Sequence, residues 1–95
     1  MAAYIIAELE VTNSEVFEEY RSQVSGTIEQ YGGEYLVRGG AVETAEGNWN
    51  PKRLVILQFE SMARAKEWYD SEEYRGPKAL RHHSANTNLV LVEGV

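Results

Sequence analysis

The chain has 95 residues, of which 43% are hydrophobic and 25% charged, and this balance predicts a single folded domain over residues 1–95. The net charge of −6 disfavours nucleic-acid backbones and anionic membrane surfaces as partners. The absence of cysteine excludes disulfides and thiolate chemistry. We expect a cytoplasmic protein, because neither a basic leader nor a long apolar run is seen.

The N-terminal third predicts a strand followed by an amphipathic helix. The strand should span Ala3–Val11, and Thr12 followed by Glu15 fits a capping box at the helix start. Gly32 and Gly33 should end the helix, because glycine adopts the left-handed cap conformation without steric cost. Apolar residues recur at three- and four-residue steps, which predicts one buried helix face. They are Val16, Phe17, Tyr20, Val24, Ile28 and Tyr31.

The remaining sequence predicts three more strands and further helices. A short second strand is expected in "EYLVRGG", a third over residues 53–59 and a last one over about residues 87–93. Ser61 and Ser71 are suited to cap two helices. Gly76 and Pro77 predict a break and restart in the second of these, since the residue before a proline avoids helical angles.

The order of elements is β-α-β-β-α-β, with a small extra helix before the last strand. It predicts an α+β, ferredoxin-like fold with a four-stranded antiparallel sheet. Three strands are almost unbroken aliphatic runs, at residues 4–7, 54–57 and 89–92. Successive strand side chains point to opposite faces, and two helices cover only one of them. A monomer would expose a large apolar surface, so we expect a homodimer with its sheets face to face.

Four segments of this sequence together resemble a known family. They are "GGEYLVRGG", "EGNWNPKRLVILQFES", "AKEWYDSEEYRGPKALR" and "LVLVEG", and they follow one another over nearly the whole chain. The combination is similar to the domain-of-unknown-function family 1330, within the dimeric α/β-barrel superfamily. The resemblance implies a ferredoxin-like protomer whose sheet pairs with a second copy to form a barrel. Relatives in that superfamily include cofactor-free monooxygenases, isomerases, cyclases, haem enzymes and sensing domains, so the activity stays open.

Arginines are the first candidates for ligand binding. Arg38 ends the second strand and Arg53 begins the third, so antiparallel pairing would bring them together, while Arg81 lies near the end of the last helix. A guanidinium offers a planar fork of donors suited to carboxylate or phosphate. The alternative is that Arg38 and Arg53 pair with carboxylates that tie down the hairpin. Those carboxylates would be Glu8, Glu34 and Glu46.

The connection over residues 39–51 is a second candidate feature. It exceeds a normal hairpin loop, and long ordered loops are often functional. Trp49 is placed to lie over a ligand there. Alternatively, Trp49 packs on the sheet edge or on the partner subunit, because exposed edges need cover.

Three residues are candidates for proton transfer, namely His82, His83 and Tyr69. Either imidazole can act as an acid or a base near neutral pH, although both would also be favourable as cations at a helix C-terminus. Tyr69 and Tyr74 fit a pocket wall, because a buried phenol needs a hydrogen-bond partner that a ligand would supply. Adjacent helical residues point about 100° apart, so the histidine pair predicts no metal site.

The sequence leaves three functions open. They are a cofactor-independent enzyme acting on a small polar or anionic organic molecule, a binding or sensing module for such a molecule, and a structural homodimer with internal salt bridges. Phosphate-loop, dinucleotide and nucleophile-elbow motifs are absent, and we expect no cofactor. The balance favours ligand binding, with Arg38, Trp49, Arg53, Tyr74 and Arg81 as the contacting residues.

Overall fold

Seven elements make up the computed structural model, which describes residues 1–95. The strands are β1 (Ala3–Val11), β2 (Glu34–Arg38), β3 (Leu54–Phe59) and β4 (Ala85–Glu93), and the helices are α1 (Ser14–Gln30), α2 (Met62–Tyr69) and α3 (Glu72–Ser84). The strands form one antiparallel sheet in the order β2-β3-β1-β4. The predicted ferredoxin-like fold is confirmed, with α2 and α3 following β3. No helix combines the length and apolarity needed to cross a membrane.

Helix α1 does not begin with the predicted capping box. Asn13 is the N-cap, and its side-chain oxygen accepts a hydrogen bond of 3.2 Å from the backbone N–H of Val16. Asparagine is at least as good an N-cap as threonine. The backbone N–H of Thr12 instead donates to the carbonyl of Ser84 at 2.7 Å, which ties the start of α1 to the end of α3. The capping assignment to Thr12 and Glu15 is therefore wrong by one residue.

Helix α3 runs through Gly76 and Pro77 without the predicted break. Part of the clash that keeps a residue before proline out of the helix involves its Cβ, which glycine lacks. Pro77 is buried, so its ring packs in the interior at the cost of one helical hydrogen bond. Continuity has a consequence for the site, because Tyr74 and Arg81 lie seven residues apart and so share one face of α3. Ser71 caps this helix as predicted.

The helix-covered face of the sheet forms the core. Residues at alternate positions of β1 are buried there, namely Ala3, Ile5, Ala7 and Leu9. Trp68 of α2 lies at the centre and stacks on Tyr74, with their ring centroids 4.0 Å apart. The indole N–H of Trp68 donates to the hydroxyl of Thr27 on α1 at 3.0 Å, so the polar atom of this buried ring is satisfied.

The opposite face of the sheet, here the outer face, is apolar and partly exposed. Ile6 at its centre pairs with Ile56 on one side and with Val90 on the other. Val90 is 56% exposed, and Leu36 on the edge strand β2 is 50% exposed. The aliphatic runs therefore supply side chains to both faces, and the helices cover one of them.

Candidate functional site

A cavity of about 40 Å³ lies between the helix-covered face of the sheet and helices α1 and α3. Most of its wall is apolar, with Ala7, Val55 and Leu89 on the sheet side. Its polar lining consists of arginines and tyrosines, and no acidic residue contributes to it. These are Arg21, Arg38, Arg53 and Arg81, together with Tyr20, Tyr35 and Tyr74. We call this space the arginine cavity, because four of the six arginines in the chain line it.

Arg81 is the most deeply buried of the four arginines, with 3% of its surface exposed. Its Nε donates to the hydroxyl of Tyr74 at 3.2 Å, and one terminal nitrogen lies 3.5 Å from Nε2 of His82. No carboxylate lies within ion-pair distance. A buried cation without a counter-ion is costly, so this end of the cavity is electrostatically suited to an anion.

Arg38 and Arg53 lie towards the β2 and β3 side of the cavity. A terminal nitrogen of Arg38 donates to the hydroxyl of Ser25 at 3.2 Å, and its guanidinium carbon lies 4.4 Å from the ring centroid of Tyr35. The Nε of Arg53 is buried without a hydrogen-bond partner. Gly39 makes room for it, because a Cβ there would lie 2.9 Å from the Arg53 guanidinium. Both side chains thus retain donors for a ligand.

The salt bridges that the structural alternative requires are not formed. Three arginines pair with glutamates one helical turn away, and all three pairs are at least partly exposed. They are Arg21–Glu18, Arg64–Glu67 and Arg75–Glu72. Arg38, Arg53 and Arg81 have no carboxylate partner, and all three line the arginine cavity.

A buried phenol, Tyr74, and a partly buried one, Tyr20, lie near Arg81. Burial, followed by the neighbouring phenol of Tyr74, raises the pKa of Tyr20. Burial also raises the pKa of Tyr74, against the opposing charge of Arg81. Both phenols are therefore neutral donors at physiological pH. Tyr74 accepts a hydrogen bond from Arg81, so its own hydrogen remains available for an acceptor in the cavity.

The sequence did not single out Tyr20, Arg21 or Tyr35 as site residues. Tyr20 was predicted as part of the buried face of α1, and its spacing fits a core residue as well as it fits a residue that lines a cavity. A tyrosine on a buried face carries a signal, however, because its hydroxyl needs a polar neighbour. Arg21 follows it in sequence, and its Nε is likewise buried without a partner.

Trp49 lies apart from the arginine cavity. Its indole N–H donates at 2.8 Å to a carboxylate oxygen of Glu8, and the residue is 59% exposed. Glu8 alternates with the buried β1 residues and so belongs to the outer face. The structure therefore does not bring Trp49 together with Arg38 and Arg53.

His82 and Tyr69 line a shallower recess next to the arginine cavity. The recess shares Arg81 and Leu89 with the cavity, so these two side chains form the partition between them. Partial burial and then the positive charge of Arg81 lower the pKa of His82. His83 is exposed and lines neither space. No three histidine, aspartate or glutamate side chains are grouped as metal ligands.

Comparison with known families assigns the chain. The profile of the family described as "Domain of unknown function (DUF1330)" matches residues 2–95. The chain belongs to this family. The resemblance seen in the sequence is confirmed over residues 2–95 of this DUF1330 protein. No curated protein is significantly similar to it in sequence.

Solved structures share the fold of this DUF1330 protein at low identity. A protein of unknown function from Rhodopseudomonas palustris has a TM-score of 0.81 and 14% identity, over 99% of this chain and 82% of that one. A dimeric ferredoxin-like protein of unknown function from Jannaschia sp. CCS1 has a TM-score of 0.75 and 15% identity, over 99% and 100% of the two chains. SnoaB, a cofactor-independent oxygenase from Streptomyces nogalater, has a TM-score of 0.67 and 7% identity, over 99% and 93%. At these identities the likeness establishes the fold.

Proposed function

We propose that this DUF1330 protein binds a small organic anion in the arginine cavity. The observation that carries the proposal is the lining itself, which contains no carboxylate and three guanidiniums that have no carboxylate partner, those of Arg38, Arg53 and Arg81. A bound carboxylate or phosphate would supply the missing counter-charge, most of all to the buried Arg81. Guanidinium–carboxylate hydrogen bonds are charge-assisted and often bidentate, which adds both strength and orientation.

The rest of the lining favours an organic anion over a bare inorganic one. The floor and walls are aliphatic and aromatic, including Val55 and Leu89 on the sheet and Phe17 on α1. Sites with mostly apolar walls and a few convergent polar groups are typical of small-molecule binding. The hydrocarbon part of a ligand would contact these walls while its charged group meets the arginines.

Thermal unfolding with and without added anions tests this function. A ligand present at 100 times its Kd adds about 2.7 kcal/mol of stability, which for a domain of this size raises the unfolding midpoint by roughly 10–20 °C. Arg81→Met should sharply reduce the rise, and Arg75→Met should keep it, since Arg75 is an exposed arginine on the same helix. The proposal fails if no carboxylate or phosphate stabilises the wild-type protein.

We further propose that the protein is a homodimer, a dimeric α/β barrel in which each protomer covers the outer face of the other. Exposed aliphatic residues on that face support this arrangement, with Leu36, Val90 and Val92 among them. The ferredoxin-like protein from Jannaschia sp. CCS1, which has the same fold, is dimeric. Light scattering should give twice the protomer mass at micromolar concentration, and Val90→Glu should shift it towards the monomer. A wild-type monomer under these conditions contradicts the proposal.

Catalysis on the bound anion without a cofactor is the second candidate function. The hydroxyls of Tyr20 and Tyr74 favour it, because both are neutral proton donors that line the arginine cavity. SnoaB, which has this fold, is a cofactor-independent oxygenase. An alternative set of proton-transfer residues consists of Tyr69, His82 and His83.

Measuring kcat in variants distinguishes the two sets of proton-transfer residues, once a substrate has been found among the stabilising anions. Tyr20→Phe and Tyr74→Phe should lower kcat if the cavity phenols transfer the proton. Tyr69→Phe, His82→Gln or His83→Gln should lower it if a residue of the alternative set transfers the proton. Unchanged turnover in all five variants would reject every proton-transfer residue named here.

A further inference from the structure

The arginines that line the arginine cavity include one at each edge of the sheet, Arg38 and Arg81. Arg38 belongs to β2, one edge strand, and pairs across the ladder with Val55 of β3. Val55 pairs with Ala7 of β1, which in turn pairs with Leu89 of β4, the other edge strand. Arg81 lies at that second edge, because it and Leu89 together separate the cavity from the recess that β4 lines.

An apolar floor lies between the two edge strands of the sheet. Neighbouring strands lie about 4.8 Å apart, so the three spacings from β2 to β4 place the backbones of Arg38 and Leu89 about 14 Å apart. Val55 and Ala7 lie between them and line the cavity. Ala7 carries the smallest side chain of this row, which leaves room above the centre of the floor.

Separate partners hold the two guanidiniums. Arg38 is fixed by the hydroxyl of Ser25 and the ring of Tyr35, both at its own end. Arg81 is fixed by the hydroxyl of Tyr74. Neither has a carboxylate partner, so each guanidinium has donors for one anionic group.

We propose that the ligand is a dianion whose two acidic groups are joined by an apolar linker, as in a dicarboxylate. One carboxylate binds Arg81, where the phenols of Tyr20 and Tyr74 supply further donors. The other binds Arg38 together with Arg53, and the linker lies over the Val55–Ala7 floor. This inference rests on the proposed anion-binding function and specifies its ligand class.

Calorimetry with matched acids tests the dianion directly. The pairs are butyrate with succinate, valerate with glutarate, hexanoate with adipate, and 4-methylbenzoate with terephthalate, so the members of each pair have the same number of carbons and differ by a carboxylate in place of a methyl group. At constant pH and ionic strength, the best-fitting dianion should bind about tenfold or more tightly than its monoanion, because charge-assisted hydrogen bonds at a second site are added.

Two variants locate the two ends. Arg38→Met and Arg81→Met should each reduce the affinity of the dianion to about that of the monoanion. Arg75→Met is the control and should keep the full difference, because its side chain is 79% exposed and lies outside the cavity. Arg38 is exposed, so Arg38→Met carries the test alone if Arg81→Met does not fold.

The possible outcomes distinguish the dianion proposal from the more general proposal of anion binding. If wild-type protein binds each monoanion as tightly as its dianion, the two-ended ligand is refuted and anion binding stands. An affinity difference that survives in Arg38→Met also refutes the two-ended arrangement. If no acid of either kind binds, the proposed anion-binding function is itself refuted.

Discussion

Replacing Arg81 with methionine should stabilise the ligand-free protein. The guanidinium is 3% exposed and has no carboxylate partner. Its hydrogen bond to Tyr74 and a longer contact with His82 are its side-chain polar interactions. A group that binds an external anion is expected to be poorly satisfied when that anion is absent, whereas a structural group is not.

The magnitude follows from two opposing contributions. An unpaired buried cation costs several kcal/mol even after relaxation, while a hydrogen bond to a charged group contributes about 1.5–3 kcal/mol. Methionine is flexible and apolar, so it can fill the irregular space beside Trp68 and Tyr74. The free energy of unfolding of Arg81→Met should therefore rise by about 1–3 kcal/mol.

Urea unfolding in a buffer without carboxylates or phosphate measures this change. At a fixed protomer concentration, the midpoint should rise while the slope with denaturant stays constant. Arg75→Met is the control, and its exposed pair with Glu72 predicts a change within about 0.5 kcal/mol.

A destabilisation of Arg81→Met by about 2 kcal/mol or more, with the control unchanged, would contradict this prediction. It would mean that the guanidinium holds α3 in place through Tyr74 and that its charge is satisfied within the fold. The structural reading of the arginines would then be preferred to anion binding. A stabilised variant that no longer responds to anions would support binding.

Three further predictions follow from single positions. Ala7→Leu should fill the 40 Å³ cavity and abolish anion-induced thermal stabilisation, with the circular dichroism spectrum unchanged. Gly39→Ala should cost about 1–2 kcal/mol in urea unfolding and weaken anion binding, because φ is 73° and the new Cβ would displace Arg53; Gly40→Ala, with open space around it, should change little. The raised pKa of Tyr20 keeps the folded state protonated while the unfolded phenol ionises near pH 10. The free energy of unfolding should therefore fall as pH rises above 10, and less so in Tyr20→Phe.

Local chemistry explains why most of the fold could be predicted. Serines at 61 and 71 cap helices because their hydroxyls accept the nearby N–H groups of Arg64 and Tyr74. Gly32 ends α1 with a φ of 76°, as predicted for a glycine cap. The continuity of α3 was missed because the rule for a residue before proline assumes a Cβ, and Gly76 has none.

The composition of the site could not be predicted in full, because sequence patterns do not reveal the tertiary packing that brings its residues together. Tyr20 occupies a regular position on the apolar face of α1, so its spacing cannot distinguish a core residue from one lining a cavity. Trp49 belongs to an irregular connection without hydrophobic periodicity, and its hydrogen bond to Glu8 depends on the path of that connection. Arg38 and Arg81 were identified by residue type, but their positions at opposite edges of the sheet required the strand order.

The distribution of ion pairs is what connects the fold to function. The chain has 15 acidic residues against 9 basic ones, so carboxylates are not scarce. Arginines on the exposed sides of helices take partners one turn away, as Arg64 and Arg75 do. The three arginines without a carboxylate partner all line one cavity, next to the paired Arg21, and one of the three is buried. Because an isolated buried charge destabilises a fold, we infer that its compensation comes from outside the chain, as an anion bound between the sheet and the helices.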